Sequence, residues 1–265
     1  MPHSQAAYLD FSPEQSRALA FASQTLADSG DPEAKGVAIQ ARILADQIQK
    51  SLTDEQRSLL QRFGEGRLST LMYRHMPYAD EPIPENLPDI TALAQNPRCT
   101  YLASRNQLLL ELARHRNFAF DIDNEGKQVR LVGNFKGGGR IPRVGEHPRL
   151  EVETSSHAGL CLGPHTEAPY NCSTVSSDGH SPAPSALILT ARWNPANDPT
   201  HVFPLQEIIE RLSSLDALAL TSKSFDFTRS ECLLTEKAKQ VKQFQCFSSS
   251  LTVASLYAST VTASV

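Results

Sequence analysis

The sequence predicts an α+β protein, a β-sheet core decorated by N-terminal helices within one domain. Three observations carry that prediction. Two capping patterns, Ser12-Pro13-Glu14-Gln15 and Thr53-Asp54-Glu55-Gln56, open apolar-periodic segments in the first third of the chain. From Phe118 onward the grammar changes to short strand-like runs broken by turn clusters such as Asp123-Asn124-Glu125-Gly126 and Lys136-Gly137-Gly138-Gly139. Helices first and strands later is the pattern of segregated layers. The 265 residues are enough chain to bury a sizeable core.

Ser12 caps the first helix, with Pro13 at its first position, and Leu19, Phe21, Ala22 and Leu26 recur at helical spacing. A second helix is expected over about 33–52, with a broad apolar stripe of Val37, Ile39, Ile43, Leu44 and Ile48. Thr53 opens a third, expected to end at Gly64. Leu68 to Met76 reads as a strand, Pro77 to Pro88 as loop, and leucine-rich Tyr101 to His115 as a helix. Phe118–Asp123, Gln128–Asn134 and Ala186–Trp193 read as strands, and Pro204 to Leu212 as a helix. No internal repeat is visible.

Composition excludes several classes. A net charge of -4 and a pI near 6.1 argue against a dominant nucleic-acid or anionic-membrane footprint, which needs clustered Lys and Arg. No apolar run approaches the roughly 20 residues of a membrane span. Met1 to Asp10 lacks a basic start, an apolar stretch and a small-residue cleavage site. The five cysteines (Cys99, Cys161, Cys172, Cys232, Cys246) are odd in number and contain no C-x-x-C pair, so reduced thiols and a cytoplasmic location are expected. Neither G-x-S-x-G nor a P-loop motif is present.

The chemistry-bearing segment is Gly159-Leu160-Cys161-Leu162-Gly163-Pro164-His165-Thr166-Glu167-Ala168-Pro169-Tyr170. Residues two apart in an extended chain point to one face, so His165 and Glu167 can present an imidazole and a carboxylate to one cation. Two histidines and a carboxylate with open positions form the ligand set of non-haem Fe(II) oxygenases. His3, His75 and His115 read as ordinary surface or half-buried residues. Arg140, Arg143 and Arg149 can meet a substrate carboxylate, but solvated loop arginines are the plainer reading. Gly137 to Gly139 read as a flexible loop.

On these residues the chain resembles the Fe(II)/2-oxoglutarate-dependent oxygenases of the taurine dioxygenase and clavaminate synthase-like superfamily. The resemblance runs from about Leu68 to Phe227. Ser69-Thr70-Leu71-Met72-Tyr73-Arg74-His75-Met76-Pro77 is similar to the family's early strand, and Ser155 to Tyr170 to its metal segment. Ala186-Leu187-Ile188-Leu189-Thr190-Ala191-Arg192-Trp193-Asn194-Pro195 resembles the strand and turn that come next in the family. Glu at 167 resembles the amino-acid-hydroxylating branch. The resemblance implies a double-stranded β-helix (jelly-roll) core behind the N-terminal helices. It implies His165 and Glu167 as iron ligands and Thr200 on the 2-oxoglutarate carboxylate, with Thr190 as the substitute. It further implies O2 and a free or carrier-bound amino acid, or a similar small polar acid, as reactants, with no nucleic acid or membrane partner.

The family pattern also calls for a distal histidine and an arginine that anchors 2-oxoglutarate. The last histidine here is His201 and the last arginine Arg229, and His180 and His201 lie too near His165 in sequence to fill the distal position. From Gln243 to Val265 there is no Asp, Glu, Lys or Arg, which a 20% charged chain gives by chance about once in two hundred tries. Permitted codons for Leu251 to Ser264, read from the third base of the leucine codon, can spell D-G-R-L-V-I-R-I-N-S-Y-S-V, a segment of normal charge. The expectation is an incomplete oxygenase domain over 1–245 and an atypical tail over 246–265 from a shifted reading frame, the later jelly-roll strands being absent and turnover weak or nil. A naturally low-charge terminal segment is the alternative for the tail. For the whole chain the rivals are a cupin-like metal or small-ligand binding protein and an inert remnant.

Overall fold

A computed structural model describes residues 6–77, 81–117, 127–133, 185–195, 197, 199–202, 205–220, 222, 225–226, 243–244 and 259–263. Strand β1 (Ala6–Asp10) runs straight into helix α1 (Pro13–Asp28). Ser12 and Gln15 form the expected capping box, the Ser12 hydroxyl accepting from the Gln15 amide and the Gln15 side chain accepting from the Ser12 amide. Helix α2 (Val37–Gln49) starts at Gly36, whose φ of 90° lies where a side chain would be strained. Helix α3 (Asp54–Gly64) carries the second box, Thr53 with Gln56, and ends at Gly64 as the sequence predicts.

Strand β2 (Thr70–Arg74) pairs with β1 in parallel over all five residues. Helix α4 (Ile90–Ala94), capped by Asp89, is a short turn that apolar periodicity does not announce. Helix α5 (Pro97–Leu112) begins four residues before the expected start, because Asn96 caps it and Pro97 supplies its first turn. Strand β3 (Ala186–Thr190) is followed by α6 (Leu205–Glu210) and α7 (Ser214–Leu220). Short strands β4 (Phe225–Asp226) and β5 (Gln243–Phe244) pair antiparallel, and β6 is Ser259–Ala263.

The main sheet has the order β1-β2-β6-β3, and every pairing in it is parallel. Strand β6, from the uncharged tail, lies inside the sheet between β2 and β3. An interior strand of a parallel sheet is a place where charge is excluded. Among the described elements β4 and β5 form the one antiparallel pair, and much of 118–184, where several jelly-roll strands are expected, lies outside the described residues. One strand expectation is corrected: within Gln128–Asn134, residues 128–133 form no strand. Gln128 instead donates its backbone amide to the Glu33 carboxylate and its side-chain amide to the Pro32 carbonyl at 3.3 Å, which ties this segment to the α1–α2 connection.

The core lies between the helices and one face of β1 and β2. Leu9, Leu19, Leu26, Leu60, Phe63, Leu71, Tyr73, Leu108 and Leu109 are all buried in one cluster. Along β2, Leu71 and Tyr73 point inward and Thr70, Met72 and Arg74 are half-buried, the period-2 signature of a sheet with one packed face. Helix α2 buries Val37, Ala41, Ala45 and Ile48, whereas Ile39 and Ile43 are 66% and 54% exposed. The expected stripe is therefore rotated: alanines face the core and let α2 approach its neighbours closely. Gly64 serves the same end for α3, since a Cβ there would stand 2.5 Å from the Ala113 carbonyl oxygen.

Candidate functional site

Parallel pairing brings the carboxyl ends of β1, β2, β6 and β3 to one edge of the sheet, the edge at which open parallel sheets receive ligands. At that edge Asp10 ends β1 and Arg74 ends β2, and Arg74 donates to both carboxylate oxygens of Asp10 at 2.6 Å. This bidentate pair holds the Asp10 carboxyl below its usual range, the hydrogen bond from Arg74 being the largest cause. His75 comes next, in the left-handed region at φ 56°, with Nε2 3.4 Å from Asp10 Oδ1.

Beyond β3 the chain presents Arg192, which is largely buried. Its Nε and Nη2 donate to the two Glu81 oxygens at 3.1 and 2.5 Å, and its guanidinium stacks on Trp193 at 4.2 Å. Nη1 reaches the free thiol of Cys99 at 3.1 Å and Nη2 the Asn96 side-chain oxygen at 3.5 Å. The hydrogen bonds from Arg192 hold Glu81 below the usual carboxylate range. Asn96 therefore does two things: it caps α5 and fastens the segment after β3 to the start of that helix.

Helix α5 then adds two further arginines. Arg98 lies over the Tyr101 ring at 4.9 Å, and Arg105, seven residues on, is 4% exposed and donates Nη1 to the Pro77 carbonyl at 3.3 Å. Seven residues is close to two full turns, so both occupy one face of α5. None of Glu81, Arg98, Arg105 or Arg192 belongs to a motif that singles it out in the sequence. The i, i+7 arginine spacing within a leucine-rich helix is the one signal the sequence offers for the α5 pair.

The residues named from the sequence fare differently. His165 and Glu167 lie outside the described residues, as do Gly137 to Gly139, Arg140, Arg143, Arg149 and His180. Thr200 is exposed, in the connection between β3 and α6. Thr190 ends β3 and donates its hydroxyl to the Asn106 side-chain oxygen at 2.7 Å, so that hydroxyl already has an acceptor. His115 is half-buried against Phe63 and Ser185, and His201 is exposed. Among the described residues no group of three or more His, Cys, Asp or Glu side chains is placed to hold a metal ion. Among them, too, no helix is long and apolar enough to cross a membrane.

No protein-family model matches the chain, and no curated protein is found similar to it.

Proposed function

We propose that the chain is of Fe(II)/2-oxoglutarate-dependent dioxygenase lineage, acting on an amino acid, its derivative or a similar small polar acid. The observation that carries this reading is the His165-Thr166-Glu167 segment with the Gly-Pro before it and the Ala-Pro-Tyr after it. Support comes from the elements further along the chain: strand β3, an exposed Thr200, and helix α6. The donor set fits the metal chemically, because one imidazole nitrogen and one carboxylate oxygen suit a borderline divalent iron that keeps open positions. When bound, iron supplies the redox chemistry that couples decarboxylation of 2-oxoglutarate to C–H hydroxylation. His165 and Glu167 hold the metal, and Thr200 donates its hydroxyl to the 2-oxoglutarate carboxylate. The proposed setting is the cytoplasm, and the proposed core is a jelly roll within 1–245.

Anaerobic addition of Fe(II) and 2-oxoglutarate tests this. The expected result is a weak visible absorption band that needs both components and disappears in His165→Ala and Glu167→Ala. Succinate release should be weak or nil, since the sequence holds no histidine or arginine at the distal positions. Iron binding without any effect of 2-oxoglutarate would replace this reading with a cupin-like metal-binding protein. The absence of both binding and a cooperative thermal melt would replace it with an inert remnant.

A further inference from the structure

Helix α2 is turned so that its alanines face inward and its central isoleucines face out. Ile39 and Ile43 stand one turn apart and are both exposed, whereas Ala41 and Ala45 are buried. The same outer stripe continues through Asp46 to Lys50 at the end of the helix, both exposed. Positions i, i+4, i+7 and i+11 fall on one side of a helix, the spacing of a seam between paired helices. Just before the helix, Glu33 and Lys35 are exposed as well. Among the described residues Lys35, Asp46 and Lys50 take part in no ion pair, and Glu33 accepts the Gln128 amide. The result is an apolar centre with charges of both signs beyond each end.

We propose that this outer face of α2 is the contact between two copies of the chain, a weak dimer whose α2 helices pair antiparallel about a two-fold axis at Ile39 and Ile43. The order of charges along the face selects a second copy. The isoleucine pair is centred on position 41; Lys35 and Glu33 precede that centre, and Asp46 and Lys50 follow it at matching distances. An antiparallel copy reverses the order. Lys35 then meets Asp46 of the second copy and Glu33 meets Lys50, each pair occurring twice by symmetry. A parallel copy would set Lys35 on Lys35 and Asp46 on Asp46, which like charge opposes. Gly36 lies opposite Asp46 in the antiparallel order and adds no side chain to the contact. Arg42, the charge nearest the axis, is turned to Glu111 of its own α5 at 3.8 Å. One 13-residue helix is about 20 Å long, so the interface belongs to the small, transient class.

Sedimentation velocity of the purified full-length protein over a range of concentrations tests this, without iron or 2-oxoglutarate, so that failure of the iron reading does not affect the result. The expected result is a reversible monomer–dimer equilibrium that weakens as salt rises, because the charge pairs at the ends of the face are screened. Ile43→Glu should weaken the dimer by about tenfold or more. It should leave the thermal melt of dilute protein unchanged, because that side chain stands on the open face. Lys35→Glu and Asp46→Lys should each weaken the dimer when made singly. Combined in one chain they exchange the two signs, and the double variant should return to the parent's dimer strength. That rescue separates paired charges from a merely adhesive surface. A parent that stays monomeric up to about 1 mM, a dimer that Ile43→Glu leaves intact, or a double variant no tighter than either single one would each overturn the proposal.

Discussion

At the scale of single residues, buried polar atoms with one partner each are the sensitive points. Tyr73 is fully enclosed, stacks on Phe11 with ring centroids 5.9 Å apart, and donates its hydroxyl to the Leu109 carbonyl at 3.0 Å. Burial pushes its phenol well above the ordinary range, so it stays a donor at any working pH. Tyr73→Phe removes this hydrogen bond while the Leu109 carbonyl keeps the Ala113 amide, and should cost about 0.5–1.5 kcal/mol, read from urea unfolding. His115 carries a pH dependence. Burial lowers its pKa from the ordinary 6.5, so the unfolded chain binds the proton more readily than the folded one. Stability that is present above that value should therefore decline as pH falls through it. Unfolding midpoints across that window should drop for the parent and drop less for His115→Gln.

At the scale of elements, the two capping boxes do more than start helices. Gln15 and Gln56 each close their own box, and their side-chain amides also exchange hydrogen bonds at 2.9 Å. Gln15 reaches on to the Ser51 carbonyl at 2.8 Å, and Gln56 to the Asp10 carbonyl at 2.6 Å. The starts of α1 and α3 are thereby tied to each other and to the end of β1. Gln56→Ala should cost about 1–3 kcal/mol, because it removes the Thr53 box, the bonds to Gln15 and the bond to the Asp10 carbonyl together. A double-mutant cycle with Gln15→Ala should return a coupling of about 0.5–3 kcal/mol. Local pattern announced both caps, but the joining of the two glutamines, 41 positions apart, depends on how the helices dock. Helix α2 teaches the same point: Ala41→Leu should overpack its close approach by about 1–3 kcal/mol, while Ile39→Ser on the open face should be near neutral in the same urea assay.

At the scale of the molecule, β6 decides whether the sheet is continuous. Strand β3 reaches β2 only through β6, which pairs with β3 over five residues and with β2 at Thr70 and Thr260. Ending the chain at Ala258 should bare one edge each of β2 and β3. The expected outcome is a shorter soluble half-life by size-exclusion chromatography and a loss of strand signal in circular dichroism, because unpaired edges recruit other chains. Retention of a monomeric, equally cooperative protein would show that β6 is dispensable to the sheet.

The sequence by itself determined the helical first third, both capping boxes, the end of α3 at Gly64, and strands β2 and β3. All of these are set by contacts within a few residues. It also supplied the His165 and Glu167 pattern on which the proposed chemistry stands. Only the tertiary structure decided that β1 pairs with β2, that an uncharged terminal strand enters the sheet, and that Arg192 meets Glu81 from far along the chain. The physical reason is distance along the chain. Capping and periodicity act over one or two turns, whereas strand order and the balance of buried charge depend on groups far apart in the sequence.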